Sequence, residues 1–170
     1  MHKIWLPCSL TLLNLACGFF SLIFVIKGDF HMAIRLFLLA VFFDAIDGRT
    51  ARYLNATSDF GRELDSLSDL VSFGIVPATL LYTVMLHYDD KIYFFEFILP
   101  AIFTICGALR LARYNIINSK DHFVGMPIPV AGGLLFLSVL YLNHLPHLMM
   151  MGISLALSVL MVSNIKIPRK

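Results

Sequence analysis

Hydrophobic and polar positions alternate along this chain in long blocks. Residues 4 to 26 contain no charged side chain, a run long enough to cross about 30 Å of hydrocarbon and longer than the apolar core of a signal peptide. Further apolar runs cover approximately 30–46, 64–86, 92–112, 127–145 and 148–163, giving six candidate spans of roughly 16 to 23 residues. The pattern therefore predicts an all-α, polytopic membrane protein with six transmembrane helices. The connections are short and no repeat or low-complexity tract separates them, so residues 1–170 read as a single membrane domain. Leu15-Ala16-Cys17-Gly18 resembles a lipoprotein cleavage site only superficially, since Asn14 stands where a small or branched apolar residue is expected. The first run is read as a retained helix.

Composition strengthens this picture. Hydrophobic residues make up 59% of the chain and charged residues 14%, with mean hydropathy +0.82. A soluble protein has about 45–50% apolar and about 25% charged residues, so a soluble domain is excluded. The net charge of +2 comes with no basic cluster suited to a run of phosphates, which speaks against nucleic acid as a partner. Cys8, Cys17 and Cys106 all lie in apolar stretches and read as small buried hydrophobes. With six spans, the termini share a side with the second and fourth connections. That side collects ten of the thirteen Lys and Arg residues, leaving Lys27 and Lys91 opposite and Arg35 inside a span. The positive-inside rule then predicts cytoplasmic termini in a multi-pass cell-membrane protein. The outer connection at 87–91 reads as a solvated turn, and the scattered histidines as interfacial residues rather than metal ligands.

The acidic residues break the pattern. Six of eleven, namely Asp44, Asp47, Asp59, Glu63, Asp65 and Asp69, fall between positions 44 and 69. Asp44 and Asp47 are three apart and Asp65 and Asp69 four apart, so each pair occupies one helical face. Two antiparallel helices can thus present four carboxylates to one point. An ionised Asp in a transmembrane helix costs about 2.5–3.5 kcal/mol, so four together require a cation between them. Hard oxygen donors without Cys or His select Mg²⁺ or Mn²⁺. Asp59 and Glu63 are read instead as favourable charges at a helix start. Between the pairs, Gly48, Ala51 and Gly61 allow close approach, Arg52 offers a charged fork and Ser58 a hydroxyl. The outline is that of a diphosphate site on the cytoplasmic side.

The residues Asp44-Ala45-Ile46-Asp47-Gly48-Arg49-Thr50-Ala51-Arg52, followed by Gly61, Asp65 and Asp69, match D-x2-D-G-x2-A-R-x8-G-x3-D-x3-D at every fixed position. Eight such positions agree by chance with a probability on the order of 10⁻¹⁰ per start site. This resembles the signature of the CDP-alcohol phosphotransferase family, whose six-helix layout covers the whole chain. The resemblance implies that Asp44 and Asp65 bridge two divalent cations and that Asp47 completes the first metal site. Asp69 would ligate the second cation and accept the acceptor's proton, while Gly48, Ala51, Arg52, Ser58 and Gly61 would hold the CDP-lipid. It also implies a homodimer, as is common in the family.

Three further stretches, residues 64–78, Arg110-Leu111-Ala112-Arg113-Tyr114-Asn115 and Gly125-Met126-Pro127-Ile128-Pro129, resemble the phosphatidylserine synthase branch of that family. The reaction implied joins CDP-diacylglycerol, or an archaeal ether-lipid equivalent, to L-serine and releases CMP. Arg110 and Arg113, three apart, are candidates for the serine carboxylate, with Asn115 nearby; topology-setting charge is their other reading. Thr11, Asn14 and Gly18 share a face of the first span, suited either to a nucleotide pocket or to helix packing. Arg35 and Glu96 either pair across helices or snorkel outward. Two alternatives stand beside this reading. One is a sister transferase using glycerol phosphate or an inositol phosphate, with Lys120 joining the two arginines. The other is a divalent-cation transporter, which the one-sided placement of the carboxylates disfavours.

Overall fold

The computed structural model describes residues 2–54, 58–88, 94–116, 122–141, 147–163 and 166–168; Asp89, Asp90, Lys91 and Lys120 lie outside them. Helices form where the apolar runs predict them. They are α1 (His2–Ile26), α2 (Phe30–Tyr53), α3 (Asp59–Asp69), α4 (Val76–Tyr88), α5 (Phe94–Ile116), α6 (Ile128–Tyr141) and α7 (His147–Val162). A π-helical segment, Leu70–Ile75, continues α3 into α4. Trp5–Ile26, Asp59–Leu86 and Glu96–Ile116 are long and apolar enough to cross a membrane, while the apolar helices at the C-terminal end are shorter. The protein is accordingly an all-helical, multi-pass membrane protein. Its described residues add one antiparallel pairing of three-residue strands, β1 (His122–Val124) with β2 (Lys166–Pro168). The chain divides into two compact units, Met1–Ser72 and Phe73–Lys170.

In the first unit, α1 and α2 form a tight hairpin whose turn is set by Gly28 and Asp29. Gly28 has φ of 76°, its N–H donates to Val25 O, and the Asp29 N–H donates to Phe24 O, which closes α1 in a Schellman motif. The Asp29 side chain then accepts from Met32 N at 3.1 Å and caps α2. The facing seam is made of small and polar residues with one large aromatic: Ser21 Oγ donates to Ala33 O at 2.8 Å, and Ala33, Phe37, Ala40 and Asp47 form the buried stripe of α2. Against α1, Ser68 Oγ of α3 donates to Thr11 O at 3.2 Å and Ser72 Oγ of the π segment to Asn14 O at 3.3 Å. Gly18 makes that approach possible, because a Cβ there would collide with Ser72 Oγ and come within 3.0 Å of Ser72 Cα. Outside the seam, Trp5, Leu12, Phe19 and Phe20 are exposed. Polar groups inside and large apolar groups outside are what a bilayer solvent selects.

The second unit packs α5 against α7 and α4, and α6 against α4 and α7. Its interior is apolar, built on Phe73, Leu80, Leu81, Met85, Phe103, Leu135, Phe136 and Met161. Gly132 lies directly on the Phe73 backbone, so a Cβ would collide with the Phe73 carbonyl. That carbonyl belongs to the π segment. Pro77 stands four residues on and brings no N–H to it, which removes the bond a regular α-helix would make there. At the other end of the unit, Gly125 has φ of 77°, and the Met126 N–H donates to Leu160 O at 3.1 Å, so the segment after β1 closes onto the end of α7.

Candidate functional site

The sequence folds locally so that the acidic pairs meet. Asp44 and Asp47 lie one turn apart in α2, Asp65 and Asp69 one turn apart in α3, and all four belong to the first unit. Asp44, Asp47 and Asp65 each bring a carboxylate oxygen within 4.8 Å of the others. Asp69 joins through Asp44, the two carboxyl groups approaching to hydrogen-bonding distance. Asp47 and Asp69 are only 4% and 7% exposed. Asp47 Oδ2, Asp65 Oδ1 and Asp69 Oδ1 are buried without a hydrogen-bond partner. Thr11, whose hydroxyl donates to Pro7 O at 3.1 Å, lies within hydrogen-bonding reach of Asp47.

This donor set fits a divalent cation. Two unit charges 4.8 Å apart repel by about 3.5 kcal/mol at an effective dielectric of about 20. Carboxyl groups at hydrogen-bonding distance tolerate each other only with a proton or a cation between them. Orphaned carboxylate oxygens converging from two helices, with no nitrogen or sulfur donor among them, are the ligands that Mg²⁺ and Mn²⁺ prefer.

The residues between the pairs take individual positions. A Cβ added at Gly48 would meet nothing within 4 Å, so the backbone there is open to an approaching group. Ala51 is half-buried, and Arg52 Nε donates to Gly48 O at 2.9 Å in the last turn of α2. Ser58 caps α3, its Oγ accepting from Gly61 N at 3.0 Å. A Cβ at Gly61 would sit 3.1 Å from that oxygen, so the cap and the glycine go together. Asp59 pairs with Arg62 at 2.8 Å in an exposed i, i+3 contact, in keeping with its reading as a helix-start charge.

Arg110, Arg113 and Asn115 all lie near the end of α5 in the second unit. The Arg110 guanidinium lies 5.4 Å from the Tyr114 ring centroid. Arg113 Nη1 donates to Val162 O at 3.4 Å, placing its charge at the carbonyl end of α7. Sequence reasoning missed the π segment directly after Asp69, for which Pro77 was the available signal. It also missed Ser68 and Ser72 as the fasteners of α3 on α1. Glu96 is 1% exposed with neither carboxylate oxygen hydrogen-bonded, so it does not snorkel outward.

Helical membrane architecture and a convergent acidic cluster mark a membrane-embedded protein with a candidate cation site, and comparison with known proteins identifies its kind. Residues 4–162 match the CDP-alcohol phosphatidyltransferase family, to which the chain therefore belongs. It is 41% identical over 165 residues to the CDP-diacylglycerol–serine O-phosphatidyltransferase of Bacillus subtilis (strain 168), covering 96% of this chain and 90% of the relative. The archaetidylserine synthase of Methanothermobacter thermautotrophicus is 38% identical over 168 residues, covering 96% and 70%. The CDP-diacylglycerol–serine O-phosphatidyltransferase of Methanocaldococcus jannaschii is 40% identical over 159 residues, covering 94% and 71%.

Proposed function

We propose that this enzyme transfers the phosphatidyl group of CDP-diacylglycerol, or of the corresponding archaeal ether lipid, to the hydroxyl of L-serine, releasing CMP. The convergence of Asp44, Asp47, Asp65 and Asp69 carries the reading of a diphosphate-cleaving site, and the activities for which the relatives are named favour serine as acceptor. In this reading residues 1–170 act as one membrane domain of six spans, with both termini and the active site at the cytoplasmic face. A homodimer is the expected assembly.

Asp44 and Asp65 would bridge two divalent cations, Mg²⁺ or Mn²⁺, with Asp47 completing one site and Asp69 the other. Bound there, the cations would neutralise charge on the diphosphate and on the departing CMP. The rest falls to the chain's own groups. The open backbone at Gly48 admits the diphosphate, with Ala51 and Gly61 keeping the approach free of bulk, and Arg52 supplies a fixed positive charge. Ser58 Oγ accepts from the α3 backbone and retains its own proton to donate to a phosphate oxygen. Asp69 takes the proton from the serine hydroxyl as the new O–P bond forms and the bond to CMP breaks. Arg110 or Arg113, with Asn115, holds the serine carboxylate.

The test is CMP release by purified protein given CDP-diacylglycerol, Mn²⁺ or Mg²⁺, and one acceptor at a time. Turnover with L-serine, and little with ethanolamine or glycerol 3-phosphate, is expected. A preference for glycerol 3-phosphate would replace serine with a phosphorylated acceptor and leave the aspartates in place.

A further inference from the structure

Asn14 is a fully buried polar side chain beside the acidic cluster, at 0% exposure, and neither Nδ2 nor Oδ1 has a hydrogen-bond partner. A buried amide with all its polar atoms unspent is costly, and native proteins keep few such groups. Its position follows from the register of the helices around it. On α2, Ser21 meets Ala33 and Thr11 meets Asp47, so residue numbers fall on α2 as they rise on α1. One turn on from Thr11, Asn14 therefore stands opposite Asp44, one turn back from Asp47. On α3, Thr11 meets Ser68 and Asn14 meets Ser72 through their main-chain oxygens, so numbers rise together and the side chain of Asn14 falls in the turn that holds Asp69. Asp44 and Asp69 meet each other in this same layer, and Asp69 Oδ1 is also buried without a partner. The Asn14 backbone cannot drift, because Ser72 holds its carbonyl and Gly18 lets α3 close in one turn further on.

We propose that Asn14 is a positioning residue of the cation site, its side-chain amide N–H donating to Asp69 Oδ1 and holding the Asp44–Asp69 pair in ligating orientation when the cation is bound. The inference rests on the cation reading proposed above. It explains why an unsatisfied amide persists here: its partner acquires a fixed orientation only in the loaded site.

The experiment measures Mn²⁺ binding by the full-length protein in detergent, from the EPR signal of free Mn²⁺, alongside thermal unfolding without metal. Wild type, Asn14→Leu, Asn14→Asp and Asp65→Asn are compared. Asn14→Leu removes the unspent polar atoms at similar volume, so it is expected to unfold at the same or a higher temperature without metal, yet to bind Mn²⁺ about tenfold or more weakly. Asn14→Asp keeps the shape, loses the donor, and is expected to bind more weakly too. The KM for the CDP-lipid should stay within about twofold in both variants while kcat falls. Unchanged Mn²⁺ affinity in Asn14→Leu would overturn the proposal, and a raised CDP-lipid KM with it would make Asn14 a substrate contact instead. Tighter binding by Asn14→Asp would make position 14 a direct ligand and overturn the donor role. If Asp65→Asn loses Mn²⁺ binding while both Asn14 variants keep it, this inference fails and the cation reading stands. No binding by the wild type would overturn both.

Discussion

The two units of this protein bury opposite things. The interior of Met1–Ser72 contains Thr11, Asn14, Ser21, Asp47, Ser68, Asp69 and Ser72, whereas that of Phe73–Lys170 is mostly aliphatic and aromatic, with Glu96, Ser154 and Ser158 buried among its described residues. The first unit tolerates its polar interior because most of those hydroxyls bond to main-chain carbonyls of a neighbouring turn or helix. Asn14 and the aspartates are the exceptions, with buried polar atoms left unspent. Glu96 and Ser154 of the second unit are left unspent as well, but among the described residues it is in the first unit that such oxygens converge on one point.

The largest effect should come from breaking that distinction in the first unit. Asp65→Asn is expected to lower CMP release by at least about a hundredfold, as is thorough chelation of divalent cations. Asp59→Asn, in the exposed pair with Arg62, should leave activity within about twofold at equal expression. Equal losses from Asp65→Asn and Asp59→Asn, or full turnover after chelation, would erase the contrast.

Next in size is the acceptor site proposed in the second unit. Arg110→Ala should raise the KM for serine roughly ten- to a hundredfold, the range for losing a charge-assisted contact, with little change for the CDP-lipid. Arg113→Ala should act more on stability, since Arg113 is engaged at the end of α7. Steady-state kinetics and unfolding of both variants check this, and a serine KM that responds only to Arg113 would reverse the assignment. Arg52→Ala should instead weaken the CDP-lipid and spare serine.

Smaller effects separate the two ways the helices approach. Gly132→Ala places a methyl group against the Phe73 backbone, which cannot rotate away, and is expected to cost about 1–3 kcal/mol in unfolding experiments. Gly18→Ala meets first the Ser72 hydroxyl, which can turn, so its stability cost should be smaller, with the greater loss falling on activity. Ser58→Ala should be the mildest, costing about 1 kcal/mol as a lost helix cap and raising the CDP-lipid KM modestly.

How much of this was legible in the sequence depended on the range of the interactions. The helices could be read because a bilayer imposes length and apolarity on every span, and the acidic pairs because spacings of three and four fix a common face on any helix. Gly61 stood out in the sequence as room for a ligand, whereas the neighbour its missing side chain spares is Ser58 Oγ, part of its own helix cap. Choosing between Arg110 and Arg113 was beyond local reasoning, because the carbonyl that Arg113 reaches lies 49 residues away. Asn14 carried a polar signal in an apolar run, but its layer became visible only from the opposite registers of α2 and α3.

The serine bonds between α3 and α1 bear on how this unit can change over evolutionary time. Ser68 and Ser72 donate to the carbonyls of Thr11 and Asn14, and every residue type supplies a carbonyl. The fastening therefore constrains the identity of the donors, Ser68 on α3 and Ser72 in the π segment, and leaves that of the acceptors on α1 unspecified. Under saturating mutagenesis, Ser68 and Ser72 should tolerate few replacements. For stability, though not for the contact of Thr11 with Asp47, position 11 should accept many residues of similar bulk, because the helix backbone beneath it goes on offering the same oxygen.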